Sequence, residues 1–169
     1  MPADGPTGDR VATTGRLPFS PSPSDLGRRS EEILAAARRR LDDLLGAAGP
    51  RTVERFLQPL DLILLDVRNL SSHTGLLFQV HPDPAAREAA RIASEAADRF
   101  FNEFRLNDRV YHALGEIDLA GEDEVTRLAH AKLRREMRRA GVERPPEERA
   151  RIIALATVSY THLTLPTKA

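Results

Sequence analysis

The sequence predicts an all-α protein, an antiparallel helical array of about six helices. Apolar residues recur at steps of three and four in successive segments, as on the buried face of a helix. Residues that start and stop helices separate these segments, and no segment alternates with the period of two that a strand requires. With 169 residues, the chain is long enough to bury a core as one domain.

The two ends of the chain differ in composition from its middle. Residues 1–24 are rich in proline, glycine and serine and have few apolar side chains, which predicts a disordered leader before a helical domain over residues 25–156. Residues 157–169 contain no arginine, aspartate or glutamate and resemble translated sequencing-adapter sequence. We interpret them as an artefactual or disordered tail, with an authentic β-prone or loop tail as the alternative.

The first two helices follow from apolar stripes. One stripe begins near Ser30 and ends at residues 46–50, and the second extends from Val53 to Leu70. The residues of the second stripe are Val53, Phe56, Leu57, Leu60, Ile63, Leu64, Val67 and Leu70. Residues 69–75 are polar or small and favour turns, so we expect the second helix to break there, before a short apolar piece at residues 76–80.

Capping residues place the four helices that follow. Asp83 with Pro84 predicts the start of the third, and Asn107 or Asp108 that of the fourth. Acidic residues 122–124 and Gly141 bound the fifth, and Pro146 opens the sixth. The predicted buried residues are Ala89, Ile92, Ala93, Ala96, Phe100 and Phe104 in the third helix, Val110, Tyr111, Leu114 and Ile117 in the fourth, and Ile152, Ile153, Leu155 and Ala156 in the sixth.

Composition limits the classes of partner. The 25 basic residues balance the 25 acidic ones, so no net field attracts nucleic acid or an anionic membrane. No apolar run approaches the roughly 20 residues of a membrane span. The lack of cysteine is compatible with a reducing compartment. We therefore expect a soluble, cytoplasmic protein with neither a nucleic-acid nor a membrane partner.

Catalytic motifs are missing from the sequence. None of the five histidines is part of His-Glu-x-x-His or of Glu-x-x-His, and the nearest approach to a metal-ligand pair is His112 with Glu116. There is no Gly-x-Ser-x-Gly elbow and no Gly-rich phosphate loop. We predict no catalytic, cofactor-binding or metal-ligating residue in this chain, and interpret His112 as a surface or partly buried side chain.

Other charged groups have ordinary interpretations. The carboxylates of Asp61 and Asp66, or of Glu116 and Asp118, are not spaced to share a helix face as a catalytic pair would need. Arginines cluster at residues 38–40 and at residues 134–139, late in two helices, where the helix dipole favours positive charge. We interpret both clusters as solvated helix ends, with nucleic-acid binding as the alternative.

A longer pattern of residues extends from the third helix of the predicted array to its sixth helix. It consists of His81-Pro82-Asp83, Arg87, Ala89-Ala90, Phe104, Leu106-Asn107, Val110-Tyr111, Ala113-Leu114, Thr126-Arg127-Leu128, Leu133-Arg134-Arg135, Arg139-Ala140-Gly141-Val142, Pro146-Glu147-Glu148-Arg149 and Arg151-Ile152. In order and spacing this pattern resembles the amino-terminal helical region of the thimet oligopeptidase, neurolysin and oligopeptidase A family of zinc metallopeptidases. With the upstream helix at residues 52–64, the resemblance covers about residues 30–156.

The resemblance implies a role in peptide hydrolysis for a larger parent protein. In that family this region is one wall of a narrow channel that admits short peptides, and the zinc ligands lie on a later His-Glu-x-x-His helix and a further glutamate. The resemblance thus implies one zinc ion in the parent, a missing carboxyl-terminal catalytic half as partner, and short peptides as substrates. We expect this chain to be a non-catalytic fragment that is inactive alone.

A different class of function stays open. Long amphipathic helices in a short chain also fit a free-standing helical module that binds a partner protein through an exposed apolar stripe. The coding sequence beyond Ala156 separates the two hypotheses, because the parentage requires His-Glu-x-x-His there. We also expect an isolated fragment to fold poorly or aggregate and a true module to unfold cooperatively.

Overall fold

The computed structural model describes residues 22–162, with side chains through residue 155. This part of the chain contains six α-helices and no strand, which confirms the predicted all-α array. A π-helical turn, Val53–Leu57, leads directly into the second helix. The helices are α1 (Pro23–Gly46), α2 (Gln58–Val80), α3 (Pro84–Arg105), α4 (Asp108–Gly115), α5 (Glu124–Ala140) and α6 (Pro146–His162).

The first three helices form the body of the fold. Residues 81–83 join α2 to α3 so tightly that the two helices pack as an antiparallel pair, and α1 lies against both. Leu26, near the start of α1, meets Leu77 and Ala90 at one end of the body, while Arg40 of α1 reaches Asp66 of α2 further along. Helix α1 therefore runs antiparallel to α2.

One continuous apolar core joins α1 to α5. Phe56, Leu60 and Val67 on the α2 side are fully buried, as are Leu114 of α4 and Met137 of α5. The predicted stripe of the second helix is confirmed, because seven of its eight residues are buried and Leu57 is partly buried. The predicted stripe of the fourth helix is also buried: Val110, Tyr111 and Leu114 lie in α4, and Ile117 lies just beyond its end.

Helix α2 does not break at residues 69–75, so that prediction was wrong. Thr74 is buried, and its hydroxyl donates to the carbonyl oxygen of Leu70 at 2.9 Å, within the helix. A buried threonine that satisfies its hydroxyl on the preceding turn is compatible with a continuing helix. Leu70 and Leu77 bury their side chains on the same face, and this tertiary burial outweighs the weak local helix propensity.

Helix α1 begins earlier than the predicted Ser30. Ser22 caps it, since its hydroxyl accepts a hydrogen bond from the amide of Asp25 at 3.1 Å, and Pro23 occupies the first turn. The leader predicted over residues 1–24 therefore ends by Ser22, and residues 1–21 lie outside the described part. The same proline and serine residues that resembled a linker are a helix start.

The buried face of α3 also differs from the predicted one. Ile92 is 52% exposed, and Ala89 and Ala96 are only partly buried. The buried residues of α3 are Ala86, Ala90, Ala93, Ala97, Phe100 and Phe104. The alanines on this face let α1 and α2 pack closely against α3.

The predicted caps are confirmed at three helix starts and one helix end. Asp83 accepts from the amide of Ala85 at 2.9 Å, Asn107 from that of Val110 at 3.2 Å, and Asp123 caps α5. Gly141 ends α5 with a φ of 102°, a left-handed conformation that favours glycine. These hydrogen bonds fix where each helix begins, as local sequence chemistry predicts.

Helix α6 begins at the predicted Pro146 and extends to His162. Its backbone is therefore helical on both sides of the composition change at Thr157. Ile152 and Ile153 are partly buried and Leu155 is 69% exposed, so the predicted stripe is buried only in part. The predicted burial of Ala156 lies outside the described side chains, and residues 163–169 lie outside the described part altogether.

Candidate binding groove

An open groove separates the first half of α2 from α5. It has a volume of about 670 Å³, and we call it the α2–α5 groove. Its lining residues are Val53, Leu57, Gln58, Asp61, Leu62, Leu64, Arg68, Val125, Thr126, Ala129, Lys132, Leu133 and Glu136. Val53 and Leu64 are buried core residues, so the groove opens directly over the hydrophobic core.

Helix α5 forms the outer wall of this groove and is held to the body at few points. Its start is fixed by Asp123, and the pKa of that carboxyl is lowered chiefly by the hydrogen bond from the amide of Thr126. Only His130 and Met137 are buried along the helix. The imidazole Nε2 of His130 lies 2.7 Å from the carbonyl oxygen of Leu114 in α4. One side of α5 is thus anchored, and the side towards α2 is open.

Large apolar side chains are exposed on both walls. Leu62 and Leu65 of α2 are 46% and 42% exposed, and Val125 and Leu128 of α5 are 75% and 63% exposed. Single exposed apolar residues are ordinary, but Leu62 and Val125 line the same groove from opposite walls and form apolar surface that a partner could cover. Apolar grooves of this kind accept amphipathic helices or peptide side chains.

Four charged side chains also line the groove: Asp61 and Arg68 from α2, and Lys132 and Glu136 from α5. Among the residues that the structure describes, none of the four forms a hydrogen bond or ion pair. Charged side chains outside the groove do form ion pairs, for example Arg40 with Asp66 at 2.6 Å. The groove therefore carries two charges of each sign that remain available to a partner.

The structure separates the first carboxylate pair considered from sequence. Asp61 lines the groove, whereas Asp66 faces α1 and pairs with Arg40. Of the second pair, Glu116 is exposed, and Asp118 accepts a hydrogen bond from the amide of Ala120 in an exposed turn.

His112 and Glu116 are both exposed, at the end of α4. Across residues 22–155, no three histidine, aspartate or glutamate side chains come together as a metal-binding group. The buried histidine of this region is His130 instead, and its contact with the Leu114 carbonyl is structural. The groove itself offers hydrogen-bonding and ionic contacts but no constellation for catalysis.

The two arginine clusters include several side chains that join helices. Arg38 and Arg40 reach Glu103 of α3 and Asp66 of α2, at 3.3 Å and 2.6 Å. We predicted solvated helix ends. Both side chains are solvent-exposed, at 47% and 41%, but they lie before the last turn of α1, and each also pairs with a neighbouring helix. Their acidic partners are distant in sequence, which is why the sequence alone did not indicate the pairing.

The second cluster fastens α5 to α4 around Tyr111. The guanidinium of Arg134 lies 4.8 Å from the Tyr111 ring centre, and Arg138 donates to the Tyr111 hydroxyl at 3.3 Å. That hydroxyl donates to Glu143 at 2.6 Å, and its hydrogen bond with Arg138 is the main reason that the pKa of this guanidinium is raised. These contacts join α4 to α5 and help to position α5 as the outer wall of the groove.

Sequence reasoning missed the α2–α5 groove. The local signal was the pair Val125 and Leu128, two apolar residues near the start of a strongly polar helix. Such a pair predicts a contact but not its partner, since the groove arises only when α2 and α5 are placed side by side. Within residues 22–162, no helix combines the length and apolar character needed to cross a bilayer.

No protein-family model matches the chain, and no curated protein matches it significantly.

Proposed function

We propose that this chain is the amino-terminal, non-catalytic helical part of a zinc oligopeptidase that hydrolyses short peptides. The observation that carries the proposal is the run from His81 to Ile152, which resembles this region of the thimet oligopeptidase family in order and spacing. The proposal includes a cytoplasmic location for the parent, supported by the absence of cysteine.

The positions of the matched residues in the fold support the proposal. The run extends from the cap of α3 at Asp83, through the cap of α4 at Asn107 and the end of α5 at Gly141, into α6. It therefore covers complete helices with their boundaries, as a shared architecture would require. A resemblance that arose from one amphipathic helix alone would not include the caps and ends of several helices.

The α2–α5 groove also supports this role. A wall of a peptide channel needs a face that is not closed by its own core, and here Leu62 and Val125 remain exposed in a groove of about 670 Å³. The remainder of the parent, or a peptide, would cover such a face. The proposal therefore gives the chain a selecting role, in which it limits what reaches the reactive centre.

Zinc binding belongs, in this proposal, to the rest of the parent. A catalytic zinc needs three protein ligands, and the described side chains do not fit this need, since no such group comes together among them. No step of peptide hydrolysis is therefore assigned to a residue of this chain.

The test is the coding sequence beyond the codon for Ala156, followed by expression of the extended protein. We expect an uninterrupted frame that encodes His-Glu-x-x-His and a later glutamate, and an extended protein that binds one zinc ion and cleaves a fluorogenic short peptide. An extended frame without this motif would refute the proposal, and so would stoichiometric zinc binding with peptide cleavage by the 169-residue chain itself.

A free-standing interaction module is the second candidate, favoured by the continuous core that joins α1 to α5. Because this core is continuous, we expect cooperative unfolding of the isolated chain under both proposals. Cooperative unfolding therefore does not separate the oligopeptidase fragment from the free-standing module, although the sequence predicted that it would. A natural stop codon shortly after residue 156, in a frame confirmed by independent sequencing, would support the module.

A further inference from the structure

The charges in the α2–α5 groove have a reciprocal arrangement. Asp61 and Arg68 both line the groove from α2, and they are seven residues apart, or about 10 Å along the helix axis. Leu65 lies four residues after Asp61 and three before Arg68, so it shares their face, and it is 42% exposed. Neither charge has an ionic partner in the described part of the chain, although both lie beside exposed apolar surface.

Such a face is complementary to itself. If two α2 helices meet antiparallel about a two-fold axis near Leu65, Asp61 of each copy lies opposite Arg68 of the other. A two-fold interface uses the same patch on both subunits, so each pairing occurs twice. On α5, the opposite charges of Lys132 and Glu136 also cancel, so this wall, like the α2 wall, carries no net charge from these groove residues. A partner of one dominant charge would leave like charges opposed.

We propose that two copies of this chain associate through the α2–α5 groove, in a two-fold dimer that pairs Asp61 with the Arg68 of the second copy. The dimer covers Leu62 and Val125, which line the groove, and Leu65, which shares the α2 face with Asp61 and Arg68. This inference goes beyond the proposed oligopeptidase role and does not depend on it, because it uses only residues of the described chain. In the 169-residue chain the second copy covers the face that the remainder of the parent, or a peptide, would cover in the proposed oligopeptidase.

The size of the face indicates a weak dimer. Two helices about 25 Å long and about 10 Å wide present roughly 500 Å² per copy, which is near the lower limit for specific interfaces. We therefore expect dissociation in the micromolar range, about 1–100 µM at moderate salt. Added salt should weaken the association, because the charge pairs lie at a solvent-accessible face.

The experiment is sedimentation velocity of the full 169-residue chain from about 1 to 200 µM. We expect the mass to rise from the monomer value of 18.7 kDa towards twice that value as concentration increases. Asp61→Arg alone and Arg68→Asp alone should each weaken dimerisation by about tenfold or more, since each places like charges opposite one another. Asp61→Arg with Arg68→Asp in one chain should restore it to within about threefold, because the exchanged pair is again complementary.

Asp42→Arg is the matched control, since Asp42 is exposed on α1 and the α2–α5 groove does not include it. This variant should dimerise like the unmodified chain, and circular dichroism should show the same helix content in every variant. A chain that stays monomeric throughout the range would overturn the proposal. So would a double variant as weak as the single ones, or a control as damaging as Asp61→Arg.

Discussion

Met137 is the main apolar anchor of α5, so its truncation measures how firmly the outer wall of the groove is held. Its side chain is 0% exposed and contributes to the continuous core, and His130 is the other buried residue of α5. Met137→Ala removes three heavy atoms beyond Cβ, which at about 0.8 kcal/mol each amounts to about 2.4 kcal/mol of transfer free energy. A residual cavity adds to this, so we expect a loss of about 2.5–4 kcal/mol in the free energy of unfolding.

Urea unfolding followed by circular dichroism is the assay. With a slope of about 2 kcal/mol per molar urea, a loss of 3 kcal/mol lowers the midpoint by about 1.5 M. Met137→Leu is the control, because it keeps most of the volume and should cost less than about 1.5 kcal/mol. If Met137→Ala cost less than 1 kcal/mol, α5 would not be anchored through the core as the structure indicates.

Three further predictions concern a helix interior, a helix end and an ion pair. Gly75→Ala should stabilise the protein by about 0.5–1 kcal/mol in urea unfolding, because α2 is continuous there and an added Cβ meets nothing within 4 Å; destabilisation would contradict a helical Gly75. Gly141→Ala should lower the free energy of unfolding by about 1–2 kcal/mol in the same assay, because Gly141 has a φ of 102° and the new Cβ would lie 3.1 Å from Arg144 Cδ. An unchanged free energy of unfolding would argue against the left-handed cap. The hydrogen bond from Arg149 lowers the pKa of Asp108, so the pair should contribute stability above the ordinary carboxyl pKa of about 3.9 and lose it as pH falls through the folded-state pKa. Asp108→Asn should accordingly cost up to about 1 kcal/mol at pH 7 and less at pH 3, and an equal cost at both values would contradict this linkage.

Local chemistry was predictable from the sequence, and contacts between distant residues were not. The cap at Asp83 was predicted because its hydrogen-bond partner, the amide of Ala85, is two residues away. The prediction of a break in α2 was wrong because Thr74 is buried against other helices, and the local sequence does not reveal this burial. The exposure of Ile92 was missed because alanines, and not this larger apolar residue, form most of the buried face of α3. Long-range placement decides these outcomes.

The two walls of the α2–α5 groove differ in how firmly the fold holds them, and this difference bears on function. Helix α2 is buried along one face between α1 and α3, so its Asp61 and Arg68 are presented by a helix that packs against the core along its length. Helix α5 has only two buried side chains, His130 and Met137, and a cluster of contacts to Tyr111. Regions with few buried apolar contacts open at lower free-energy cost than the core. A partner entering the groove would therefore meet a fixed surface on α2 and an adjustable one on α5, and α5 would take up most of the change on binding.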